Sequence, residues 1–441
     1  MVELNRTLID LSPAARAVLD ACERVDVAAL VVGGSVRDAL LGVPSKDVDL
    51  EVTGDRAALV AALQDVGTVA EQGAHFPILA VHVVGDNGAG ENIDVSFAEH
   101  ADPFARRDFT INAMGWNPFT GDLVDPYGGQ RDLAAGVLRH TSEHFSDDPL
   151  RVLRGVQFAG RFGFRFAAET KGLCRELAPR FAELPTERVW EEWRKLARRA
   201  IHWPEALRAL ADSGWAQHFP GLAATRGIEQ DPGWHAEGDV WTHLGLAARA
   251  AAMASGDLDD VDREVVVLAA LVHDLGKVTH TDTSGPRITS QGHAEAGVEP
   301  ARQFLRDIGA PGHVVARVLP IVREHMAHVS VNGKPSRPAV RRLMRRLAPA
   351  TISDWARVVD ADCAGRGPSS KPSPSPVWLD VAATIGGTPG RALLRGEHLI
   401  ARGMTPGPQF REVLAAATAA QDDEQFIDEA GALEWLDALL G

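Results

Sequence analysis

The hydrophobic pattern of the chain changes near residue 147, and no other feature constrains the fold as strongly. Before this point, short apolar runs that predict strands, such as "DVAALVVGG" (26–34), alternate with helical stretches such as "DRAALVAALQDVG". After it, apolar residues recur with a helical period almost to the end, as in "ERVWEEWRKLARRAI". The pattern predicts an α+β fold, with a mixed sheet and helices followed by all-α domains.

The length and the cysteines narrow the class of protein. A chain of 441 residues is too long for one ordinary core and indicates about three domains. No run of 18 apolar residues predicts a membrane span, and the first residues lack the pattern of a signal peptide. Cys22, Cys174 and Cys363 are scattered without CxxC spacing, which argues against a disulfide framework or a zinc ribbon. We therefore expect a cytoplasmic protein without a membrane partner.

The charges are unevenly distributed. A formal net charge of −15 disfavours broad nucleic-acid binding, yet arginines form two local clusters. Either cluster is compatible with a nucleic-acid face or with an ordinary solvated helix surface. The clusters are Arg151, Arg154, Arg161 and Arg165, and the stretch "KPSRPAVRRLMRRLAP" (334–349).

Two aspartates interrupt the apolar strand "SKDVDLEV" (45–52). Side chains alternate along a strand, so Asp47 and Asp49 share one face while Val48 and Leu50 face the core. Two carboxylates on one face repel each other unless a cation lies between them, and Mg²⁺ prefers oxygen ligands. The alternative is a strand-end cap with a solvated face.

A glycine turn, "GGSVRDALLG", precedes this strand. Gly33 and Gly34 at a strand-to-helix turn would let backbone N–H groups approach a phosphate. Asp94 in "NIDVSF" is a candidate third carboxylate on a neighbouring strand. These features together favour a magnesium site for phosphoryl transfer.

With four further segments in the same order, these motifs resemble the class II tRNA nucleotidyltransferase and poly(A) polymerase family. The segments are "RRDFTINAM" (106–114), "DPYGGQRDL" (125–133), "DDPLRVLRGVQFAGRFGF" (147–164) and "ERVWEEWRKL" (187–196). The resemblance implies a polymerase-β-like nucleotidyltransferase head with Mg²⁺ as cofactor. It also implies template-independent transfer of nucleotides from CTP and ATP to the 3′ end of tRNA.

The resemblance implies roles for individual residues. Asp47 and Asp49 would hold the catalytic Mg²⁺. Asp148 and Arg151, one helical turn apart, would read the base edge of the incoming nucleotide. The other nucleotide-binding residues that it implies are Gly33, Gly34 and Arg37 at the triphosphate, Arg107, Asp108 and Asn112 at the ribose, and Arg154.

One departure from the family concerns the segment after Asp94. Members that add the terminal A usually carry a long flexible loop before the "RRDFTINA" motif, and an Arg-x-Glu after the strand. Here only "VSFAEHADPFA" separates Asp94 from Arg106, and it contains "FAEH" instead. The short spacer keeps addition of CC alone open as an alternative to addition of CCA.

Histidines are concentrated between residues 235 and 328. An adjacent His273–Asp274 pair inside the apolar "LAALVHDLGK" costs free energy to bury unless it is paired or binds a metal. These segments resemble the HD phosphohydrolase superfamily, with its pattern His…His-Asp…Asp. The metal ligands that the resemblance implies are His243, His273, Asp274 and Asp362. His293 and His325 resemble the additional ligands of two-metal members. Whether His235 and His328 are ligands is left open.

A mixed imidazole and carboxylate set suits a divalent metal such as Mg²⁺, Mn²⁺ or Ni²⁺ better than a structural zinc. Such a metal would generate hydroxide to attack a phosphate ester. In related bacterial nucleotidyltransferases this domain has phosphatase and 2′,3′-cyclic phosphodiesterase activity. Lys277 would either contact the phosphate or simply end a helix.

The sequence thus predicts four segments: a catalytic head (1–146), a nucleotide-selecting neck (147–230), an HD domain (231–367), and a linker with a helical tail (368–441). The clearest linker is "GRGPSSKPSPSPVW" (365–378). The leading function is CCA addition to tRNA with an additional phosphohydrolase activity. The alternatives are CC addition alone, a poly(A) polymerase, and an HD phosphohydrolase whose N-terminal domain only binds RNA. The oligomeric state is not predicted.

Overall fold

The chain forms two compact units. The computed structural model describes residues 8–44, 48–72, 78–84, 90–98, 102–367, 371–386 and 390–441. The first unit consists of Met1–Gly155, Gly163–Leu184 and Asp212–Gly214, and the second of Val156–Phe162, Pro185–Ala211 and Trp215–Gly441. The four domain boundaries expected from the sequence stay predictions.

The first unit is built on a mixed seven-stranded sheet. Its strands are β1 (Ala28–Val32), β2 (Asp49–Thr53), β3 (Thr68–Gln72), β4 (Ile78–Val84), β5 (Gly90–Phe97), β6 (Gly115–Trp116) and β7 (Leu123–Val124). They lie in the order β3-β4-β5-β2-β1-β6-β7. β2 and β5 are parallel, and the other neighbours are antiparallel. The short, polar β3 had no strand signal in the sequence.

Helices flank the sheet within the same unit. They are α1 (Pro13–Arg24), α2 (Gly34–Leu40), α3 (Arg56–Gln64), α4 (Gly129–Ala134), the start of α5 (Arg151–Phe162), and α6 (Ala168–Glu176). Short 3₁₀ segments span Thr110–Asn112, Glu143–Asp147 and Ala178–Glu183, and β8 (Val137–Leu138) pairs with β9 (Arg165–Phe166). The mixed sheet with helices confirms the predicted α+β class.

β2 alternates as the sequence predicts. Val48 and Leu50 are buried and Asp49 is exposed. In the parallel register Asp49 lies directly beside Asp94 of β5. Paired residues on adjacent strands face the same side, so these two carboxylates share one face of the sheet. Asp47 lies outside the described residues.

The second unit is helical. It contains the end of α5, α7 (Thr186–Arg199), α8 (Trp203–Asp212), α9 (Pro220–Ala223), α10 (Val240–Met253), α11 (Asp260–Val272), α12 (Lys277–His280), α13 (His293–Ala296), α14 (Val298–Asp307), α15 (Gly312–Glu324), α16 (Arg337–Leu347), α17 (Ile352–Gly365), α18 (Ser375–Thr384), α19 (Gly396–Ile400), α20 (Pro408–Asp422) and α21 (Glu429–Leu440). Short 3₁₀ segments span Trp215–His218 and Ala327–Ser330. In the described ranges, no helix has the length and apolarity to cross a membrane.

The helix α11 lies among α10, α15 and α17, which all pack against it. Every residue from Glu264 to Val272 is buried, which explains the continuous apolar run in its sequence. The chain leaves α11 directly into His273 and Asp274, so this pair is buried as well.

The predicted linker is shorter than the sequence indicated. Its last residues belong to α18, which begins at Ser375 and carries a proline in its first turn, where the missing N–H costs nothing. The Ser375 hydroxyl donates to Asp360, and Trp378 is buried 5.4 Å from Trp355 between ring centroids. The proline and serine content was misleading for these last residues, because both residue types are common in linkers and also in the first turn of a helix.

The basic cluster of residues 334–349 is neutralised. It forms α16, and its arginines pair with acids of the α20 C-terminus and with Glu324. The pairs are Arg337–Glu424, Arg341–Glu424, Arg342–Asp423, Arg345–Asp422 and Arg346–Glu324. The half-exposed side chains of Arg337, Arg342 and Arg346 fit the solvated helix surface, with ion pairs to neighbouring acids, and a nucleic-acid face stays a prediction.

Arg345 should contribute most to this contact. Its Nε lies 2.8 Å from both oxygens of Asp422, whose side chain is only 2% exposed. We expect Arg345→Ala to lower the free energy of local unfolding of α20 and α21 by roughly 2–3 kcal/mol, because it leaves a buried carboxylate unpaired. The matched control is Arg342→Ala, whose exposed pair should be worth about 0–1 kcal/mol. Amide hydrogen exchange of residues 408–440 measures both, and equal effects would contradict this ranking.

Candidate functional site

The glycine turn of the first unit brings a guanidinium and a carboxylate together. Gly33 has φ +76°, and a Cβ there would lie 2.6 Å from Nη1 of Arg107 and 3.9 Å from Oδ2 of Asp49. The positive φ therefore favours glycine at this position, and the guanidinium of Arg107 fills the space beside it. The Gly33 N–H donates to the Met114 carbonyl at 3.2 Å, so this N–H serves the sheet rather than a phosphate.

Arg37 follows the turn in α2 and is buried. Its guanidinium donates to Asn112 Oδ1 at 2.5 Å and lies 2.7 Å from Asp38 Oδ1. It also folds back over the turn, because a Cβ on Gly34 would come within 3.4 Å of it. The structure thus places Arg37 beside the predicted triphosphate cradle, in contact with Asn112 of the "RRDFTINAM" segment.

Arg107 has a partner that the sequence analysis missed. Its Nη2 donates to Glu51 Oε2 at 3.1 Å. Glu51 follows Asp49 by two positions on β2, so strand alternation was the available signal. Burial raises the pKa of Glu51, although the Arg107 charge opposes the shift. The contact holds the Arg107 guanidinium against the glycine turn.

Asp108 is the centre of a buried network. Its carboxylate accepts from Arg154 at 2.8 Å, from Asn112 Nδ2 at 2.9 Å and from the Phe109 N–H at 2.8 Å. Burial alone would raise its pKa, but the Arg154 charge and these hydrogen bonds outweigh burial and lower it. Asp108 therefore fixes Arg154 and Asn112 in place.

The predicted base-reading pair lies at the start of α5. Asp148 Oδ1 accepts from the Leu150 N–H at 3.1 Å, as in a helix cap. The Arg151 guanidinium is half-buried and donates to the carbonyls of His144 at 2.7 Å and Arg106 at 2.6 Å. Both side chains are thus held by local contacts of the first unit, and their role in base reading stays a prediction.

The donor set on this sheet face fits Mg²⁺. Asp49 and Asp94 offer oxygen ligands side by side in parallel register, and both are exposed. Hard divalent cations prefer such oxygens and leave room for phosphate and water. With Arg107 at the glycine turn, the face can hold a metal-bound triphosphate.

The second unit gathers a separate set of candidate ligands from five parts of the chain. α10 supplies His243, the end of α11 supplies His273 and Asp274, and α17 supplies Asp362. His293 begins α13 and His325 ends α15. All six side chains are buried. The structure therefore brings together every residue that the HD resemblance implied.

The hydrogen bonds orient four imidazoles in the same way. The Nδ1 atoms donate to backbone carbonyls or to a carboxylate: His273 to Ala270, His293 to Ser290, His325 to Val322 and His243 to Glu237. Each Nε2 is therefore directed toward the interior of the cluster. The Nε2 atoms of His293 and His325 lie only 3.1 Å apart, although each ring already uses its Nδ1 as the donor.

Asp274 lies between two groups of ligands. Its Oδ2 is 3.3 Å from His273 Nε2 and 3.7 Å from His243 Nε2. Its Oδ1 is 3.1 Å from His293 Nε2 and 3.6 Å from His325 Nε2. Each oxygen thus belongs to a different ligand set, and a carboxylate in this position can bridge two metal ions.

The buried polar atoms of this cluster fit a metal. The Nε2 atoms of His243 and His273 are buried and face carboxylate oxygens, at 3.1 Å from Asp362 Oδ1 and 3.3 Å from Asp274 Oδ2. Burial lowers the pKa of His325 to about 4, so this ring is neutral. Burial also lowers the pKa of His273, but Asp274 and Asp362 outweigh burial and raise it to about 10. A metal would therefore displace a proton from His273.

Glu237 is a second residue that the sequence analysis missed. Its Oε1 accepts from His243 Nδ1 at 2.7 Å and from His235 Nδ1 at 2.8 Å. Burial would raise its pKa, but the hydrogen bonds from both histidines outweigh burial and hold it at about 2. Glu237 thus fixes the ring of a metal-ligand candidate.

We expect Glu237→Gln to weaken metal binding by the second unit about 10- to 100-fold, because an uncharged partner orients His243 less firmly. Equilibrium dialysis of Mn²⁺ or Ni²⁺ against the metal-free protein measures the affinity. The control is Glu295→Gln, an acid near the cluster that pairs with Arg323 outside it. An unchanged affinity in Glu237→Gln would show that this carboxylate has no orienting role.

A cavity of about 990 Å³ opens onto the cluster. Two cations border it: Lys277 Nζ is 2.6 Å from Asp274 Oδ2, and Arg366 Nη2 is 2.5 Å from Asp362 Oδ2. Lys277 begins α12, is buried and also donates to Gln230 Oε1 at 2.8 Å, and its contact with a phosphate stays a prediction. Arg366 was not predicted, although it follows Asp362 by four positions on one helix face. The cluster can thus meet an anion from two sides.

Comparisons with known proteins identify relatives of the whole chain and of its parts. The model of the Poly A polymerase head domain matches residues 29–96 and 85–139, and the model of the HD domain matches 240–361. A third model, the probable RNA and SrmB-binding site of polymerase A, matches 163–225. The Multifunctional CCA protein of Xanthomonas campestris pv. campestris strain B100 is 34% identical over 421 residues, which are 88% of this chain and 97% of that protein.

The chain belongs to the multifunctional CCA protein family. The Acinetobacter baumannii strain AYE member is 32% identical over 383 residues, covering 80% of this chain and 89% of that one. Membership confirms the resemblance to the CCA-adding tRNA nucleotidyltransferases and the presence of an HD domain.

Solved structures share the fold. The Bacillus stearothermophilus CCA-adding enzyme in complex with CTP is 21% identical, with a TM-score of 0.61 and 98% of each chain covered. The Thermotoga maritima CCA-adding enzyme complexed with tRNA is also 21% identical, with a TM-score of 0.56, covering 98% of this chain and 97% of that one. At 21% identity, this likeness shows only that the chain has the same fold as these enzymes.

Proposed function

We propose that this chain adds CCA to tRNA 3′ ends with CTP and ATP in its first unit, and hydrolyses phosphate esters in its second. The observation that supports the first activity best is the parallel register of Asp49 and Asp94 beside the Gly33–Arg107 turn. This register puts two carboxylates on one face of the sheet, next to a guanidinium. A metal–triphosphate complex requires both, oxygen ligands for the metal and a cation for the phosphates.

In the first unit, Asp49, with Asp47 from the adjoining segment, would hold Mg²⁺. The metal supplies activation of the tRNA 3′-hydroxyl and charge neutralisation of the departing pyrophosphate. Arg107, held by Glu51, would bind the triphosphate that enters beside Gly33. Arg154, fixed by Asp108, and the Asp148–Arg151 pair would face the nucleotide and select its base.

In the second unit, His243, His273, Asp274 and Asp362 would hold one divalent metal. His293 and His325 would hold a second, with Asp274 shared. The metals supply hydroxide at neutral pH. Lys277 and Arg366 are paired with Asp274 and Asp362; with metals bound to these two carboxylates, the cations would bind the phosphate oxygens and stabilise their charge. The 3.1 Å separation of two Nε2 atoms supports this proposal best, because a cation between them removes their repulsion.

Addition of CC alone is the second candidate. It is favoured by the short spacer between Asp94 and Arg106, part of which lies outside the described residues. A poly(A) polymerase and a hydrolase with an RNA-binding N-terminal unit are further alternatives from the sequence. The proposed partners are tRNA, CTP and ATP, and the proposed location is the cytoplasm.

Nucleotides supplied one at a time separate these candidates. With tRNA that lacks CCA, we expect CTP alone to extend the RNA by two nucleotides, and CTP followed by ATP to extend it by one more. The products are resolved by gel electrophoresis. Extension that stops after CC identifies the CC-adding alternative. Long A tails on unrelated RNA would contradict specificity for tRNA.

A further inference from the structure

The arginines of α16 form two rows along the helix. Arg337, Arg341 and Arg345 follow one another at intervals of four residues and therefore share one face, about 6 Å apart along the helix axis. Arg342 and Arg346 form a second row beside the first. Successive phosphates of one RNA strand are separated by a comparable distance, and guanidinium groups bind phosphate oxygens in pairs. The spacing of the rows thus suits a chain of phosphates.

Carboxylates from the end of α20 already bind these guanidinium groups. Glu424 Oε1 lies 3.0 Å from Arg337 Nε and 2.8 Å from Arg341 Nη1, so one acid bridges two arginines of the first row. Asp423 pairs with Arg342 in the second row. In this structure the carboxylate oxygens therefore hold the positions that phosphate oxygens would take.

These acids are unfavourable for the end of α20 itself. Asp422 ends this helix, and Asp423 and Glu424 follow it directly, where the helix dipole disfavours negative charge. Glu424 also has φ +59°, in the left-handed region that glycine adopts at helix ends and that costs a glutamate free energy. The pairing with α16 offsets both costs. The residues at this helix end thus fit an ionic contact better than they fit a helix terminus.

The ionic contact is separate from the core that folds the C-terminal module, formed by α19, α20 and α21. Among the described residues, the apolar core of this module contains Leu399, Ala417 and Phe426 but no residue of α16. The Arg342–Asp423 pair is 44% and 42% exposed. Exposed ion pairs contribute little stability and are screened by salt. Another anion can therefore displace the exposed carboxylates while the module stays folded.

We propose that α16 is a binding surface for the phosphate backbone of RNA, and that Asp423 and Glu424 occupy this surface when no RNA is bound. The two acids act as an intramolecular competitor, because RNA has to displace them before it reaches the arginines. This surface goes beyond the two proposed activities, and its test depends on neither of them.

The test removes the two competing charges from the full-length protein. Asp423→Asn and Glu424→Gly are combined, since glycine adopts the left-handed turn without strain. We expect the affinity for a labelled oligouridylate of about 20 nucleotides to rise about 10- to 100-fold at about 0.1 M salt, because three arginines become available to phosphates. The gain should disappear near about 1 M salt, where little free energy comes from the release of cations. Fluorescence anisotropy measures the affinity.

Two further variants show whether the arginines cause this gain. Glu412→Gln with Glu434→Gln removes two other exposed acids of the same module, so the net charge changes equally. This control should bind RNA within about twofold of the unchanged protein, since no additional arginine becomes available. Adding Arg337→Gln, Arg341→Gln and Arg342→Gln to the double variant should return the affinity to its original value.

Amide hydrogen exchange of residues 408–440 must show that the double variant keeps the module folded. Glu424→Gly alone, which also relieves the helix end, should show part of the same gain and serves if the double variant unfolds. An unchanged affinity in these folded variants would overturn the proposal. An equal gain in the Glu412 and Glu434 control, or a gain that survives the loss of the three arginines, would overturn it as well.

Discussion

Asp49→Ala should reduce CTP incorporation into tRNA by about 10³-fold or more and leave phosphate-ester hydrolysis unchanged. The loss is large because the remaining carboxylates would not hold, in the same position, the metal that neutralises the triphosphate. Asp49 is exposed at the start of β2, so its removal should hardly change stability. Single-turnover incorporation of labelled CTP measures the effect.

Two variants make this result interpretable. Asp49→Asn keeps the shape of the side chain and should be nearly as inactive, since the charge is what the metal requires. Asp65→Ala removes another exposed aspartate of the same unit and should be fully active. Nucleotide addition that survives in both Asp49 variants would show that the assigned metal face is wrong.

Asp274→Asn should reduce hydrolysis of phosphate esters by about 10³-fold or more, and should lower the number of metal ions bound per chain. Its two oxygens belong to two ligand sets, so one substitution weakens both at once. CTP incorporation should stay within about twofold of the unchanged protein, because the first unit has its own metal site. The two measurements are the metal content by elemental analysis and the rate of hydrolysis of a phosphodiester substrate.

The matched control is Asp282→Asn, an exposed aspartate of the same unit whose carboxylate accepts from Ser284. It should keep both metal content and hydrolysis. Because Asp274 is buried, circular dichroism must show that the Asp274→Asn variant keeps its helices. A folded Asp274→Asn protein with full metal content and full hydrolysis would rule out the bridging role.

The sequence predicted best those features of the fold and the sites that depend on one strand or on one motif. Strand alternation predicted which side of β2 carries its acids, and the buried Val48 and Leu50 confirm it. The HD resemblance implied four metal ligands and two more as in two-metal members, and the structure brings these six side chains together. In both cases the signal lies within one element or within a motif of known pattern.

Contacts between distant segments could not be predicted. Glu51 and Arg107 are 56 positions apart, and the acids at the end of α20 lie 77 to 87 positions after the α16 arginines that they pair with. A charge count cannot tell which charges meet when the pairing depends on the fold. Glu237 was missed for a related reason, since it lies in a turn whose sequence has no periodic pattern.

The neutralised arginines of α16 have a consequence for how tRNA binding depends on salt. An arginine that binds a phosphate contributes to the salt dependence by releasing the cations condensed on the RNA. On α16 each arginine would first have to give up a carboxylate, exchanging one anion for another with little net gain. The slope of log affinity against log salt concentration should therefore reflect other cations of the chain, even though this helix is the most basic stretch in the sequence.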